Sequence, residues 1–393
     1  MTKQTLDLLP CTLMHKNTPV IAVNILQSTG QVVQVVSILS ERHVPIAIQL
    51  QNKTGIELKS FERWWSGRSI PASRDGIREA LSALGEHSPL ALVNKCYGLS
   101  LSDHYWLKPD HLDLDWQHIN FFDNDFSEDI GNILLGQPAE SPDSLDLFSP
   151  DNTSDGWLRK KWLIRNGQRC LLKGGSGDEQ EPFNEVVATA LMKRLGIAHV
   201  PYSLEEHHGK YYSLCPNFVT TQNEFIPAWQ VMTLLKKSNE QSDYEHLIRC
   251  CNHLGMTDAR AGLEQMLVLD YLIANEDRHY NNFGFIRSAD TLAFQGCAPV
   301  FDSGTSLWYN TQNVGREVGA KPFKKTHARQ ITLVSNLSWF DQNALLGLQE
   351  EVMTILSVNR HLAQPKREAI VAKIMSNTEQ IAQLATCVTR TIS

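Results

Sequence analysis

Leu267–Leu307 reads LVLDYLIANEDRHYNNFGFIRSADTLAFQGCAPVFDSGTSL. Leu263, Met266, Leu267, Leu269, Leu272 and Ile273 recur at helical spacing, which predicts a buried helix ended by Asn275. A loop leaving a rigid buried helix is a good place to fix carboxylates. Asp277 and Asn282 stand five residues apart in that loop, and Asp302 follows the short apolar run Ala298–Phe301. Phosphoryl transfer from ATP needs this set: one Asp orients or deprotonates the attacking hydroxyl, and an Asn and a second Asp hold Mg²⁺ against the phosphates. Asp277 is the candidate base, and Asn282 and Asp302 are candidate Mg²⁺ ligands, since oxygen ligands suit that ion. Asn281 rivals Asn282, but the spacing from Asp277 favours Asn282. His279 is a candidate nucleotide contact or a loop pin. Arg278 either neutralises phosphate charge or pairs with an acid.

Upstream, Trp157–Ile164 and Gln168–Lys173 flank Arg165-Asn166-Gly167, a hairpin signal. Lys173 ends the second strand. A helix is expected from Phe183 to Leu195, with Pro182 at its start and Gly196 as its stop. Its buried stripe is expected to be Val186, Val187, Ala190, Leu191 and Leu195. Glu185 lies in its first turn. A strand Lys paired with a helix Glu holds ATP phosphates in kinases. Before the hairpin, Asn152-Thr153-Ser154-Asp155-Gly156 sits where a phosphate-covering loop belongs, although it is not a GxGxxG and also reads as a linker. Val200–Glu206 and Lys210–Val219 make a second hairpin around His207-His208-Gly209. Its end, with Cys215, Asn217 and Phe218, is the candidate hinge that reads adenine. The period then changes to 3.6, with helices expected over Ala228–Lys237, Asp243–Leu254 and Ala259–Ala274, and again over Phe340–Val358 and Lys366–Thr389. The fold class expected is α+β: a two-lobed, protein-kinase-like fold with a small α/β N-lobe and a helical C-lobe, preceded by a separate N-terminal α/β module.

That module covers residues 1–136, with 137–219 as linker, phosphate loop and N-lobe, and 220–393 as C-lobe. The Pro-, Ser- and Asp-rich stretch Ala139–Asp155 marks the boundary. Within the module, PVIAVNIL and QVVQVVSIL predict a hairpin, Val44–Leu50 a third strand, and Ser73 a cap for a helix from Arg74 to Leu84 stopped by Gly85. Phe61-Glu62-Arg63-Trp64-Trp65 reads as core aromatics or a contact surface. The His and Asp residues between Leu99 and Phe126 fit no metal-ligand spacing.

With 393 residues, 42% hydrophobic and 20% charged, the composition is that of a globular protein of two or three domains. A net charge of −7 speaks against a protein built to coat nucleic acid. The longest uncharged stretch, Asn17–Ser40, alternates and carries polar residues, so no membrane span is expected. Eight scattered Cys without CxxC spacing, and an N-terminus unlike a signal peptide, lead to the expectation of a reduced, cytoplasmic protein.

LDYLIANEDRHYNNFGF followed by APVFDSGTSL, with LLKGG and FNEVVATAL upstream, resembles the HipA-like Ser/Thr kinases of bacterial toxin–antitoxin systems over roughly residues 150–380. The order Asp-Arg-His distinguishes the loop from the His-Arg-Asp of ordinary eukaryotic protein kinases, and phosphoinositide kinases share a related DRHxxN loop. The resemblance implies an ATP- and Mg²⁺-dependent kinase that passes the γ-phosphate to a protein Ser or Thr. Asp277 would position the hydroxyl, and Lys173, held by Glu185, would bind the α/β phosphates. It also implies a small DNA-binding antitoxin partner, and autophosphorylation of a loop serine for which Ser149 and Ser154 are the counterparts. Gly304–Thr326, with Lys321, Lys324 and Lys325, lies where an activation or substrate segment runs, and also reads as a solvated face. The protein substrate is unspecified. A small-molecule or phosphoinositide-type kinase and a nucleotide-binding regulatory pseudokinase are the alternatives.

Overall fold

The computed structural model describes residues 7–51, 55–137 and 145–392, with side chains up to residue 386. Residues 139–144 of the expected boundary stretch lie outside the described residues. The chain forms two compact units. One comprises Met1–Leu171 with Val219–Glu224 and Ser288–Leu292, and the other Leu172–Phe218, Phe225–Arg287 and Ala293–Ser393. The chain leaves the first unit at Leu171/Leu172 and returns to it over Val219–Glu224 and Ser288–Leu292; the sequence reading placed boundaries at 136/137 and 219/220.

The first unit opens on strands β1 (Leu8–His15), β2 (Thr18–Leu26) and β3 (Val32–Ile38). With β6 (Tyr105–Pro109) they form an antiparallel sheet in the order β3-β2-β1-β6. The β2–β3 hairpin is the one expected. The expected strand Val44–Leu50 is absent: Pro45 cannot donate to a ladder, and only Leu50–Gln51 (β4) pairs, with Gly55–Ile56 (β5). β1 was hidden by its own proline. Pro10 lies just outside the Cys11–His15 register with β6, where no N–H is required.

Helix α1 (Leu58–Ser66) carries Phe61, Trp64 and Trp65 into the interior, so the aromatic stretch is core. Helix α2 (Ile77–Ala83) starts after Gly76, whose φ of +77° suits glycine, and not at Arg74. Arg74 is buried instead. It donates to the Ser154 hydroxyl at 2.8 Å and to the carbonyls of Ser154, Asp155 and Gly156. Helices α3 (Pro89–Lys95), α4 (Trp116–Ile119) and α5 (Asp129–Leu134) follow. Trp106, Trp116 and Phe121 form a core with Met14, Cys96, Leu99 and Leu101. Among the described residues no cluster of three or more His, Cys, Asp or Glu is arranged to hold a metal.

Strands β7 (Lys160–Arg165) and β8 (Gln168–Lys173) make the Asn-Gly hairpin, with φ of +50° at Asn166 and +78° at Gly167, as a type I′ turn requires.

In the second unit, helix α6 (Glu181–Leu195) begins two residues earlier than expected and ends at Gly196, φ +66°. It is buried on nearly every side rather than along one stripe, and Val186 is only partly buried. Strands β9 (Ser203–His207) and β10 (Lys210–Pro216) pair around His208-Gly209. A three-stranded sheet joins β11 (Asn223–Pro227), β12 (Gly284–Ser288) and β13 (Phe294–Cys297).

The rest is helical: α7 (Ala228–Met232), α8 (Asp243–His253), α9 (Ala259–Ile273), α10 (His327–Gln330), α11 (Leu348–Ser357) and α12 (Gln364–Ile392). α7 is shorter than the expected Ala228–Lys237. α11 starts only after Gly347, φ +78°, so the expected Phe340 start is too early. No described helix is long and apolar enough to cross a membrane.

Candidate active site

The site is built in the second unit from the ends of β8, α6 and α9 and from the loops that follow α9 and β13. Lys173 ends β8 and is buried, with 3% of its surface exposed. Its ammonium donates to Glu185 Oε1 at 2.5 Å and to Asp302 Oδ1. Burial alone would lower its pKa; the carboxylates of Asp302 and Glu185 outweigh this and hold it well above the ordinary lysine value. Tyr202 adds its ring face, 5.5 Å from the same ammonium. The second oxygen of Glu185 accepts the Ser303 N–H at 2.8 Å. Helix α6 therefore holds both the cation and the backbone that follows Asp302.

Asp302 is a non-glycine residue at φ +57°, a backbone state that costs about 1 kcal/mol or more and needs support. The support surrounds it. The Asp302 N–H donates to the Tyr202 hydroxyl at 3.3 Å, Val300 pairs with His199 and exchanges backbone hydrogen bonds with Ala198 and Val200, and Leu307 N–H donates to Ile273 O at 2.8 Å. Asn184, fully buried on α6, donates to the carbonyls of Gly304 at 2.8 Å and Ser306 at 2.7 Å.

The loop after α9 is fixed by Arg278, which is wholly buried. Its guanidinium faces Asp270 with contacts of 2.9–3.2 Å, and reaches the carbonyls of Asn282, Phe301 and Asp302 and the Ser303 hydroxyl. Of the two roles open to Arg278 in the sequence, the structure shows pairing with an acid. Burial pulls its pKa down, but Asp270 more than reverses this and the guanidinium stays charged. Asn275 donates to Asp270 at 2.9 Å and accepts the Asp277 N–H at 3.2 Å.

Asp277 presents its carboxylate at the surface of this frame. Oδ1 accepts from Lys321 Nζ at 2.7 Å, and His279 Nε2 stands 3.7 Å from Oδ2. Asn282 Nδ2 donates to the Asp277 carbonyl at 2.9 Å. That commits the amide nitrogen and leaves the amide oxygen as the atom Asn282 can offer to a cation. That oxygen and the Asp302 carboxylate are the atoms that would hold Mg²⁺, an ion that takes oxygen ligands.

Phe218, at the end of the candidate hinge, joins an aromatic trio with Phe225 and Phe301, centroids 5.4–5.7 Å apart. Cys215 is buried, and Asn217 and Phe218 are partly exposed. The candidate phosphate loop belongs to the first unit. Pro150–Thr153 forms a 3-10 turn, Ser149, Asp151, Asn152 and Ser154 are buried, and Thr153 donates to the carbonyls of Leu99 and Pro150. Asp155 is exposed, and its carboxylate takes the Gly156 N–H at 2.6 Å, where Gly156 sits at φ +95°.

The structure thus gathers Lys173, Glu185 and Asp302 into one cluster and Asp277, His279 and Asn282 onto one loop, with Arg278 linking the two. Sequence reasoning missed Asp270, Asn184, Tyr202 and the contact made by Lys321. Asp270 left a signal, as a lone charge inside an apolar helix must have a partner. Asn184 and Tyr202 left none.

Residues 153–383 match the model of the HipA-like C-terminal domain. The chain belongs to this family. The Serine/threonine-protein kinase CtkA of Helicobacter pylori strain J99 is 28% identical over 138 residues, which are 34% of this chain and 42% of that relative. The chain thus spans less than half the length of that kinase. A crystal structure of the H. pylori proinflammatory kinase CtkA is similar over 60% of this chain and 95% of that one, at 18% identity and a TM-score of 0.46. The Shewanella oneidensis MR-1 toxin–antitoxin protein HipA, in its complex with HipB and operator DNA, covers 96% of this chain and 99% of that chain at 13% identity, with a TM-score of 0.56. At that identity the likeness shows a shared fold, and it is the α+β, kinase-like fold expected from the HipA-like motifs.

Proposed function

We propose that this HipA-like protein is an ATP- and Mg²⁺-dependent kinase that transfers the γ-phosphate to a Ser or Thr hydroxyl of a protein. The observation that carries the reading is the Lys173–Glu185–Asp302 cluster, tied through Arg278 to the loop bearing Asp277 and Asn282. An amine held between two carboxylates, one of them also a candidate cation ligand with the Asn282 amide oxygen, and a further carboxylate at the surface together suit triphosphate, divalent cation and hydroxyl. Lys173 would engage phosphate oxygens and Glu185 would hold it in place. Asn282 and Asp302 would hold Mg²⁺, which offsets phosphate charge when bound. Asp277 would take the hydroxyl proton, and Cys215, Asn217 and Phe218 would border the base.

The test is transfer from γ-labelled ATP with Mg²⁺ by wild type, Asp277→Ala and Asp302→Ala. Loss of roughly 10²–10⁴-fold is expected for Asp277→Ala, the range for a positioned acid–base group. No transfer is expected for Asp302→Ala. Wild-type rates in both would sink the assignment. Label on the protein itself would support the protein-kinase reading, and label only on small-molecule acceptors would redirect it. Ser149 and Ser154 are both buried, so label on either requires the 149–156 loop to open. A small DNA-binding partner is proposed on the likeness to the HipA of the HipA–HipB–DNA complex, and co-purification from the native host tests it.

A further inference from the structure

We propose that Lys321 is a positioning residue of the transfer site: it fixes one oxygen of Asp277 so that the other receives the acceptor's proton. The proposal rests on the reading of Asp277 as the base. Lys321 Nζ lies 2.7 Å from Asp277 Oδ1, across 44 residues of sequence. Oδ2 faces the His279 ring, whose Nε2 stands 3.7 Å away, beyond hydrogen-bond distance. The main chain of Asp277 is fixed as well, by Asn275 at its N–H and by Asn282 at its carbonyl. With both ends of the residue and one carboxylate oxygen held, the remaining oxygen has a defined direction. In the transfer the acceptor oxygen bonds to phosphorus as the bond to the ADP oxygen breaks, its electron pair leaving with ADP. The hydroxyl proton passes to Asp277 Oδ2.

The contact is not the wandering of an exposed side chain, because its backbone is built in. Residues 319–326 fold back on themselves: Gly319 bridges Thr326, and Ala320 N–H donates to Lys325 O at 3.1 Å. The side chain of Gln330, 2% exposed, fills the turn. It donates to Lys321 O at 2.7 Å and accepts the N–H groups of Phe323 at 3.1 Å and Lys324 at 3.2 Å. Phe323 packs its ring against Tyr244, Tyr280 and Phe283, with centroids 5.1–6.2 Å apart. Thr326 caps α10 by accepting the Arg329 N–H. A buried polar clamp and an aromatic anchor make a standing support, and a strap meant to swing away would have neither. The side chain itself is half exposed, so its replacement does not disturb packing.

The experiment compares wild type, Lys321→Met, Lys321→Arg, Asp277→Asn and the double variant Asp277→Asn/Lys321→Met, all checked for unchanged melting. Readouts are kcat, KM for ATP, and ATP binding. Lys321→Met is expected to lose about 10²-fold in kcat, the cost of a misplaced reacting group, with KM for ATP and ATP binding unchanged. Lys321→Arg should recover most of that loss. In the Asp277→Asn background, Lys321→Met should cost nothing further, because the residue acts through Asp277. Three results would overturn the proposal: wild-type kcat in Lys321→Met, a rise in kcat (the mark of a blocking contact), or the same fold loss in both backgrounds. The parent reading fails separately, through Asp277→Asn at wild-type rate; a wild type that transfers no phosphate overturns both.

Discussion

Burial lowers the pKa of two basic side chains, and their neighbours decide opposite outcomes. At Lys173 two carboxylates outweigh desolvation and the charge is kept. At His104, which is wholly buried beside β6, desolvation wins and the pKa falls to about 4 from 6.5. Glu224 opposes that fall, as does Asp103 more weakly, while His15 and Lys16 add to it. Its Nε2 bonds Asn223 O at 3.0 Å, which requires the proton to sit there in the neutral ring. The unfolded chain then binds more protons than the folded one between about pH 4 and pH 6.5. Stability from His104 is therefore complete above about 6.5 and is lost as pH falls toward 4. Melting temperatures of wild type and His104→Phe between pH 4 and pH 7 check this. The wild type should lose more on acidification than the variant; parallel curves would refute it.

Among elements, α9 and its following loop show how far sequence carries. The apolar spacing of Leu263 to Ile273 is enough to place a buried helix, and the DRHxxN and FDSG pieces are enough to place the candidate ligands. Hairpins announced by Asn-Gly and His-Gly were legible because left-handed φ values leave few choices of residue. The strand β1 was not, because a proline inside it is tolerated only through its register with β6, a tertiary fact. Nor was the Lys321 contact, which depends on how Gln330 folds a distant loop.

Asp270 was legible in kind but not in partner. Its pairing with Arg278 is fully buried on both sides. Breaking such a pair leaves an uncompensated charge, so Arg278→Met is expected to destabilise the protein by about 3–5 kcal/mol. Urea unfolding measures it. Transfer should fall with it, since Arg278 also holds the carbonyls of Phe301 and Asp302. A stable Arg278→Met with full activity would show the link between the two loops to be dispensable.

For the molecule as a whole, a net charge of −7 means that nucleotide is repelled at long range and must be held by local cations. Cations in the candidate site include Lys173, Arg278 and Lys321, to which Mg²⁺ held by Asn282 and Asp302 would add. Binding to the folded state alone stabilises it by about 2.7 kcal/mol at a ligand concentration a hundred times Kd. ATP with Mg²⁺ should therefore raise the melting temperature of the wild type by a few degrees, and ATP with EDTA by much less. In Asp302→Ala the added effect of Mg²⁺ should vanish, because a ligand oxygen is gone. In Lys173→Met the nucleotide effect itself should vanish. That variant should also melt lower without ligand, since Glu185 and Asp302 lose the cation between them. Differential scanning of the three proteins, each with and without ATP and Mg²⁺, separates the two contributions without requiring an acceptor. An equal upward shift in all of them would mean that nucleotide binds elsewhere on the chain.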